Sequence, residues 1–254
     1  MKPEISPVAS ARRIRIIARQ LAWAGILLTV LFSSLSSAAN VSLFAGGEFD
    51  DHGQGFSYLG VDVTQRLNET VAVAGRVVPS YLTYKYYSND VLIKAKSPGL
   101  TAVAGVKLFW GQTLFGVYGG VELRNTDLDP DDRSSSQRGS TSAGTIQGEL
   151  DTWLTKTTNL YVFGSYSGTS NFSYERAKLK QQITNFDYRQ PYTLFVGAEQ
   201  FYGRNSDFHG QGYGALVELY SLPLNASICL RGGYKHDSTY GNGAYGGLEL
   251  YKGF

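Results

Sequence analysis

Residues 225–236 read NASICLRGGYKH. In an extended chain Ala226, Ile228, Leu230, Gly232 and Tyr234 fall on one face, and Asn225, Ser227, Cys229, Arg231 and Lys235 on the other, because successive side chains of a strand point to opposite sides. Such a segment separates an oily surface from a wet one. The same texture recurs after residue 40. Leu59, Val61 and Val63 alternate with Gly60, Asp62 and Thr64; Phe115, Val117, Val121 and Leu123 oppose Tyr118, Glu122 and Arg124. Ile146 and Leu150 oppose Gln147, Glu149 and Asp151, and Tyr213, Ala215, Val217 and Leu219 oppose Gly214 and Glu218. Many such segments in series predict an all-β fold, an antiparallel transmembrane up-and-down β-barrel with a polar lumen. The barrel must close, since lipid leaves every open sheet edge unsatisfied.

Twelve strands are expected, near 41–48, 54–66, 69–84, 91–109, 112–124, 140–154, 159–168, 171–183, 191–202, 210–221, 224–236 and 243–254. An even number puts both termini on one side, the periplasm. From a periplasmic start the even-numbered turns should be short, as at Leu67-Asn68, Trp110-Gly111, Thr155 to Thr158 and Leu222-Pro223. The odd ones should be longer, as at Asn125 to Gly139. Two connections break the pattern: Thr184 to Gln190 is long and Thr169-Ser170 is short. Tyr84, Tyr86, Tyr87, Tyr192, Tyr202, Tyr220, Tyr240 and Tyr251, with Trp110 and Trp153, lie near strand ends, where aromatic girdles meet headgroups. In the last strand Phe254 shares a face with Leu250 and Leu248, interrupted by Lys252.

Export is read from the N-terminus. Lys2, Arg12, Arg13, Arg15 and Arg19 precede an apolar run, Leu21 to Phe32, and Ser36-Ser37-Ala38 fits a cleavage site, so residues 1–38 are expected to be a signal peptide and 39–254 the barrel. The destination is the outer membrane of a Gram-negative bacterium. The whole chain carries 23 basic and 21 acidic residues. Five of the basic ones and Glu4 belong to the leader, which leaves 18 against 20, or −2, in the mature part. The overall basicity therefore gives no reason to expect a nucleic-acid partner. Cys229, the single cysteine, cannot form an internal disulfide and reads as a small lumen-side residue.

Two constellations carry candidate chemistry. The first is a set of lumen-side charges of both signs: Glu122, Arg124, Glu149, Asp151, Arg176, Lys178, Glu199, Glu218, Arg231 and Lys235. They read either as a structural plug of paired charges or as a polar path for a small or chain-like solute. The second is His236-Asp237-Ser238 with Glu249. His-x-Ser followed by Glu resembles the catalytic group of outer-membrane lipid A deacylases, in which His activates Ser for attack on an acyl ester. Thr239 stands where that family has Asn, and Glu249 lies deep in its strand. A polar hairpin turn is the simpler reading. His52 and His209 fall in loops without metal-ligand spacing, and no cofactor motif is present. Loop aromatics such as Tyr87, Phe208 and Tyr240 offer faces that sugar rings stack on, but girdle residues are the preferred reading.

From Tyr118 onward the chain resembles the cellulose biosynthesis protein BcsS family of bacterial outer-membrane barrels. The residues that carry the resemblance are Tyr118-Gly119-Gly120-Val121, Leu128-Asp129-Pro130 with Asp132, Gly139, Leu150-Asp151-x-Trp153 and Gly164-Ser165-Tyr166. Val196-Gly197-x-Glu199, Gly232-Gly233-Tyr234-x-x-Asp237-Ser238 and Gly243-Ala244-Tyr245-Gly246 complete it. The resemblance implies a non-enzymatic accessory of cellulose or exopolysaccharide production or export, with no catalytic residues. Its partners would be outer-membrane lipid, a polysaccharide chain and other cellulose-secretion components. A lipid A deacylase-like hydrolase and a small porin or structural barrel are the alternatives.

Overall fold

Twelve antiparallel strands hydrogen-bond in sequence order, and the first pairs with the last. The computed structural model describes residues 39–184, 191–206 and 208–254; the expected leader, residues 1–38, lies outside them. The strands are β1 Ala39–Asp50, β2 Gly55–Arg66, β3 Val71–Ser88, β4 Val91–Trp110, β5 Thr113–Asp129, β6 Gly139–Trp153, β7 Thr158–Ser167, β8 Phe172–Gln182, β9 Tyr192–Arg204, β10 His209–Ser221, β11 Ala226–Asp237 and β12 Gly241–Gly253. Closure runs from Ser42↔Gly253 to Asp50↔Tyr245, so among the described strands none is an edge strand.

The register turns the alternation of single strands into continuous bands. Val196, Val217, Leu230 and Leu248 lie in one row across β9 to β12, and Leu194, Leu219, Ile228, Leu250 and Ala45 lie in the next. Most of these large side chains are exposed. An exposed apolar surface of this extent, wrapping a barrel, is the lipid-facing wall of a membrane protein. On the other face of the same strands Glu199, Leu216, Cys229 and Arg231 are buried.

The bands stop at one end, and polarity there reverses. β2 leaves β3 at Gly55↔Thr83, but β3 and β4 stay paired up to Ser88↔Val91, roughly 16 Å further at strand spacing. On this projecting wing Lys94 faces Asp129 and Lys96 faces Asp127 across the outer surface. Ile93, Ala95 and Ser97 are buried on its inner surface. A charged outside and an apolar inside is the pattern of a strand pair in water, so the wing has left the membrane. Asn89 and Asp90, with φ of 48° and 63°, close its two-residue turn; both residue types tolerate the left-handed region that the twist of a hairpin requires.

Several expectations need correction. The odd turns are not uniformly long. Of the connections that the structure describes in full, β5–β6 (residues 130–138) is the long one, while β3–β4 is tight and β7–β8 is short as expected. Chain that looked like loop is instead strand extension in β3 and β5. The β8–β9 connection includes residues 185–190, outside the described set. Nor do all ten aromatics form a girdle. Trp110 and Tyr192 are exposed, but Tyr87 lies on the wing beyond the membrane, and Trp153 packs against the buried Phe195, ring centres 6.1 Å apart. Lys252 leaves its apolar face: its Nζ donates to the carbonyls of Leu224 and Gly253 and sits 4.8 Å above the Phe254 ring.

Candidate functional site: an ion-paired lumen

All ten of the candidate lumen residues face inward, and they are engaged by one another and by residues that sequence reasoning missed. At the centre three carboxylates, Glu48, Glu199 and Glu249, meet three cations, Arg176, Lys178 and Arg231. Arg231 Nη1 lies 2.6 Å from Glu48 and 3.4 Å from Glu199, and its Nε lies 3.4 Å from Glu249. Arg176 reaches Glu48 at 2.5 Å and Glu249 at 3.3 Å, and Lys178 pairs with Glu249. β8 and β1 stand five strands apart round the wall, nearly opposite, so these contacts cross the interior. Gly247 is paired with Arg231; a Cβ there would lie 2.9 Å from Arg231 Nε, so the bare glycine leaves the guanidinium its path along the wall.

A second group occupies the β2–β6 side. Arg76 Nη2 contacts Asp62 at 3.1 Å and Glu149 at 3.0 Å. Lys107 Nζ contacts Asp62 at 2.8 Å and Thr64 Oγ1 at 2.8 Å. The Tyr118 hydroxyl donates to Glu149 at 2.5 Å while its ring lies 4.5 Å from the Arg76 guanidinium. Smaller pairs complete the interior: Arg124–Glu122 at 2.7 Å, Lys180–Glu218 at 2.9 Å, and Lys235 with Asp50 at 2.5 Å and Asp237 at 3.5 Å. Asp151 accepts from Asn159 Nδ2 at 2.6 Å. Charges in the two large groups balance, three against three and two against two. Buried charge persists only when paired in this way. A cavity of ≈ 240 Å³ remains at the end bearing the chain termini, lined by Asp62, Lys107, Asn225, Tyr251 and Phe254 among others.

Glu48, Arg76, Lys107 and Lys180 are among the residues missed. Lys107 shares its parity with the inward Val103 and Gly105, so the two-residue period could have found it. Arg76 lies in AVAGRVV, where small apolar residues occupy both faces and hide that period.

The proposed catalytic group is not assembled. Glu249 pairs with Cys229 across the β11–β12 ladder, whereas His236 pairs with Asn242. Seven residues separate the two levels, roughly 23 Å along a strand. His236 also points outward and Glu249 inward. His236 Nδ1 is hydrogen-bonded to Asn242 Oδ1 at 2.7 Å, and Ser238 Oγ accepts the His209 amide at 3.1 Å. The carboxylate that would orient the base sits among Arg176, Lys178 and Arg231 instead. At the outer turns Asp50, Asp51 and His52 do bring their ligand atoms within 4.8 Å of one another, a convergence the sequence did not reveal. Asp50 is already bound by Lys235 and by the amides of His52 and Gln54. In the β5–β6 loop a hydrogen bond from Ser134, first among several, holds the Asp132 carboxyl below the usual range.

Fold and lumen together define a membrane β-barrel whose interior is spanned by paired side chains. The chain belongs to the cellulose biosynthesis protein BcsS family, whose model matches residues 30–254. No curated protein matches it. Among solved structures it is similar to the translocator domain of the autotransporter NalP from Neisseria meningitidis, at 14% identity over 98% of this chain and 99% of that one, TM-score 0.47. It is also similar to the KdgM porin, at 13% identity over 84% and 99%, TM-score 0.44. LpxR from Salmonella typhimurium aligns at 11% identity over 83% and 99%, TM-score 0.46. None of these likenesses bears on function.

Proposed function

We propose that the protein is a non-enzymatic accessory barrel, exported by residues 1–38 into the outer membrane, that supports production or export of cellulose or a related exopolysaccharide. Family membership points to the pathway. The observation that carries the mode of action is the salt-bridge network across the lumen, from Arg176 on β8 to Glu48 on β1. A channel for polymer needs an open interior, and here the charges are spent on one another. The barrel therefore acts through its rims and its lipid anchorage, where cellulose-secretion components can dock. The separation of Glu249 from His236 speaks against a hydrolase, and the filled lumen speaks against a porin.

Deleting the protein is expected to change cellulose yield or fibre morphology while hydrophilic-antibiotic uptake and the acyl pattern of lipid A stay as in the parent strain. Dye binding with electron microscopy reads the first, and lipid A mass spectrometry the second. Normal cellulose after deletion would contradict the cellulose role. An altered acyl pattern would revive the hydrolase.

A further inference from the structure

At the end opposite the termini, one group of rings is explained neither by lipid contact nor by the ion network. His52, in the β1–β2 turn, stacks on Tyr240, in the β11–β12 turn, with ring centres 4.7 Å apart and planes 6° apart. Tyr87, at the tip of the β3–β4 wing, stands 6.5 Å from Tyr240 and is 58% exposed. Three hairpin tips thus converge on one spot. Tyr87 belongs to the part of the wing that lies beyond the polarity reversal, where no lipid is present to cover an apolar ring.

The turns that carry two of the rings, His52 and Tyr240, are held from behind. Lys85 Nζ donates to the His52 carbonyl oxygen, and the His52 amide donates to Asp50 Oδ1 at 3.1 Å. The amides of Thr239 and Tyr240 donate to Asp237 Oδ1 at 2.9 and 2.8 Å. Asp237 is itself buried and receives Gln54 Nε2 at 3.0 Å. Holding rings in place before a ligand arrives removes part of the ordering cost of binding. Around them stand the exposed side chains of Asp51, Asn89 and Asp90, which can accept or donate hydrogen bonds at the edge of a bound ring.

Aromatic faces bordered by polar groups suit a ligand with apolar faces and polar edges. A pyranose ring has that shape: its axial C–H bonds face up and down, and its hydroxyls point outward. In a β-1,4-linked chain the rings are nearly coplanar, so consecutive sugars present one flat ribbon. We propose that His52, Tyr87 and Tyr240 form a stacking site for a β-1,4-glucan chain at the outer mouth. This rests on the cellulose reading above and adds the contact through which the barrel meets the polymer.

The test is calorimetric titration of the intact refolded barrel in detergent with cellohexaose, using maltohexaose as the comparison. The expected result is saturable binding of cellohexaose, weakened about tenfold by Tyr87→Ala with Tyr240→Ala and kept within about twofold by Tyr87→Phe, which retains the ring face. Heat-modifiable migration on cold gels shows that each variant is folded. Cellohexaose binding that is absent, unchanged by the double substitution, or matched by maltohexaose would overturn the site. If cellulose output still changes on deletion of the protein, only the stacking site falls; if it does not, the cellulose reading falls as well.

Discussion

Replacing Arg231 with Leu is expected to destabilise the barrel by about 3–5 kcal/mol, the range found when one partner of a buried ion pair is removed. The Arg231 side chain is 1% exposed and touches Glu48, Glu199 and Glu249. Its loss leaves three carboxylates facing Arg176 and Lys178 alone. Glu199, whose side chain is fully buried, has no route to water and would keep only the Tyr245 hydroxyl at 2.8 Å and the more distant Arg176 Nε at 3.7 Å. Adding Glu199→Gln restores two acids against two cations. The double variant should recover a large part of the loss, with a coupling energy in the 0.5–3 kcal/mol range of groups sharing one network, roughly. Urea unfolding of the barrel folded into lipid vesicles measures both. A loss below about 1 kcal/mol for Arg231→Leu would mean that water reaches the network and that the interior is open.

The second large effect is on the opposite face of the same strand. Leu230 is 60% exposed and sits mid-strand between Val217 and Leu248. In a soluble protein an exposed Leu replaced by Arg changes stability by about 0.5 kcal/mol or less. Facing hydrocarbon, the same change costs about 2–4 kcal/mol near the midplane. Leu230→Arg therefore separates a lipid wall from a wet surface by a margin that unfolding experiments resolve. The outer face of the wing provides the contrast. Lys94 and Lys96 already occupy it, and Lys94→Leu should leave stability nearly unchanged.

These two neighbours, Leu230 and Arg231, also show why the fold was readable. β11 keeps a strict period of two because one face meets lipid and the other meets paired charge, so each residue is chosen by its side. The same physics explains where reading failed. Beyond the membrane the outer face no longer needs to be apolar. Lys85, Asp127 and Asp129 made the ends of β3 and β5 look like loop, although backbone pairing continues through them. In β3 the fault is reversed: Ala72 and Ala74 are inward yet apolar, so Arg76 carried no visible partner pattern. The lumen charges were legible as a set and their pairing was not, because β8 meets β1 only after the sheet closes. The β11–β12 register decides the His236, Ser238 and Glu249 question. Spacing placed them near one another, while face and register pull them apart.

Whether side chains close this lumen is settled most directly by recording current across a planar bilayer after insertion of the purified barrel. The expected trace is a membrane that holds its own low conductance, without stable open steps, at neutral pH and moderate salt. Long-lived, uniform conductance steps from the parent protein would contradict the closed lumen and the accessory role built on it.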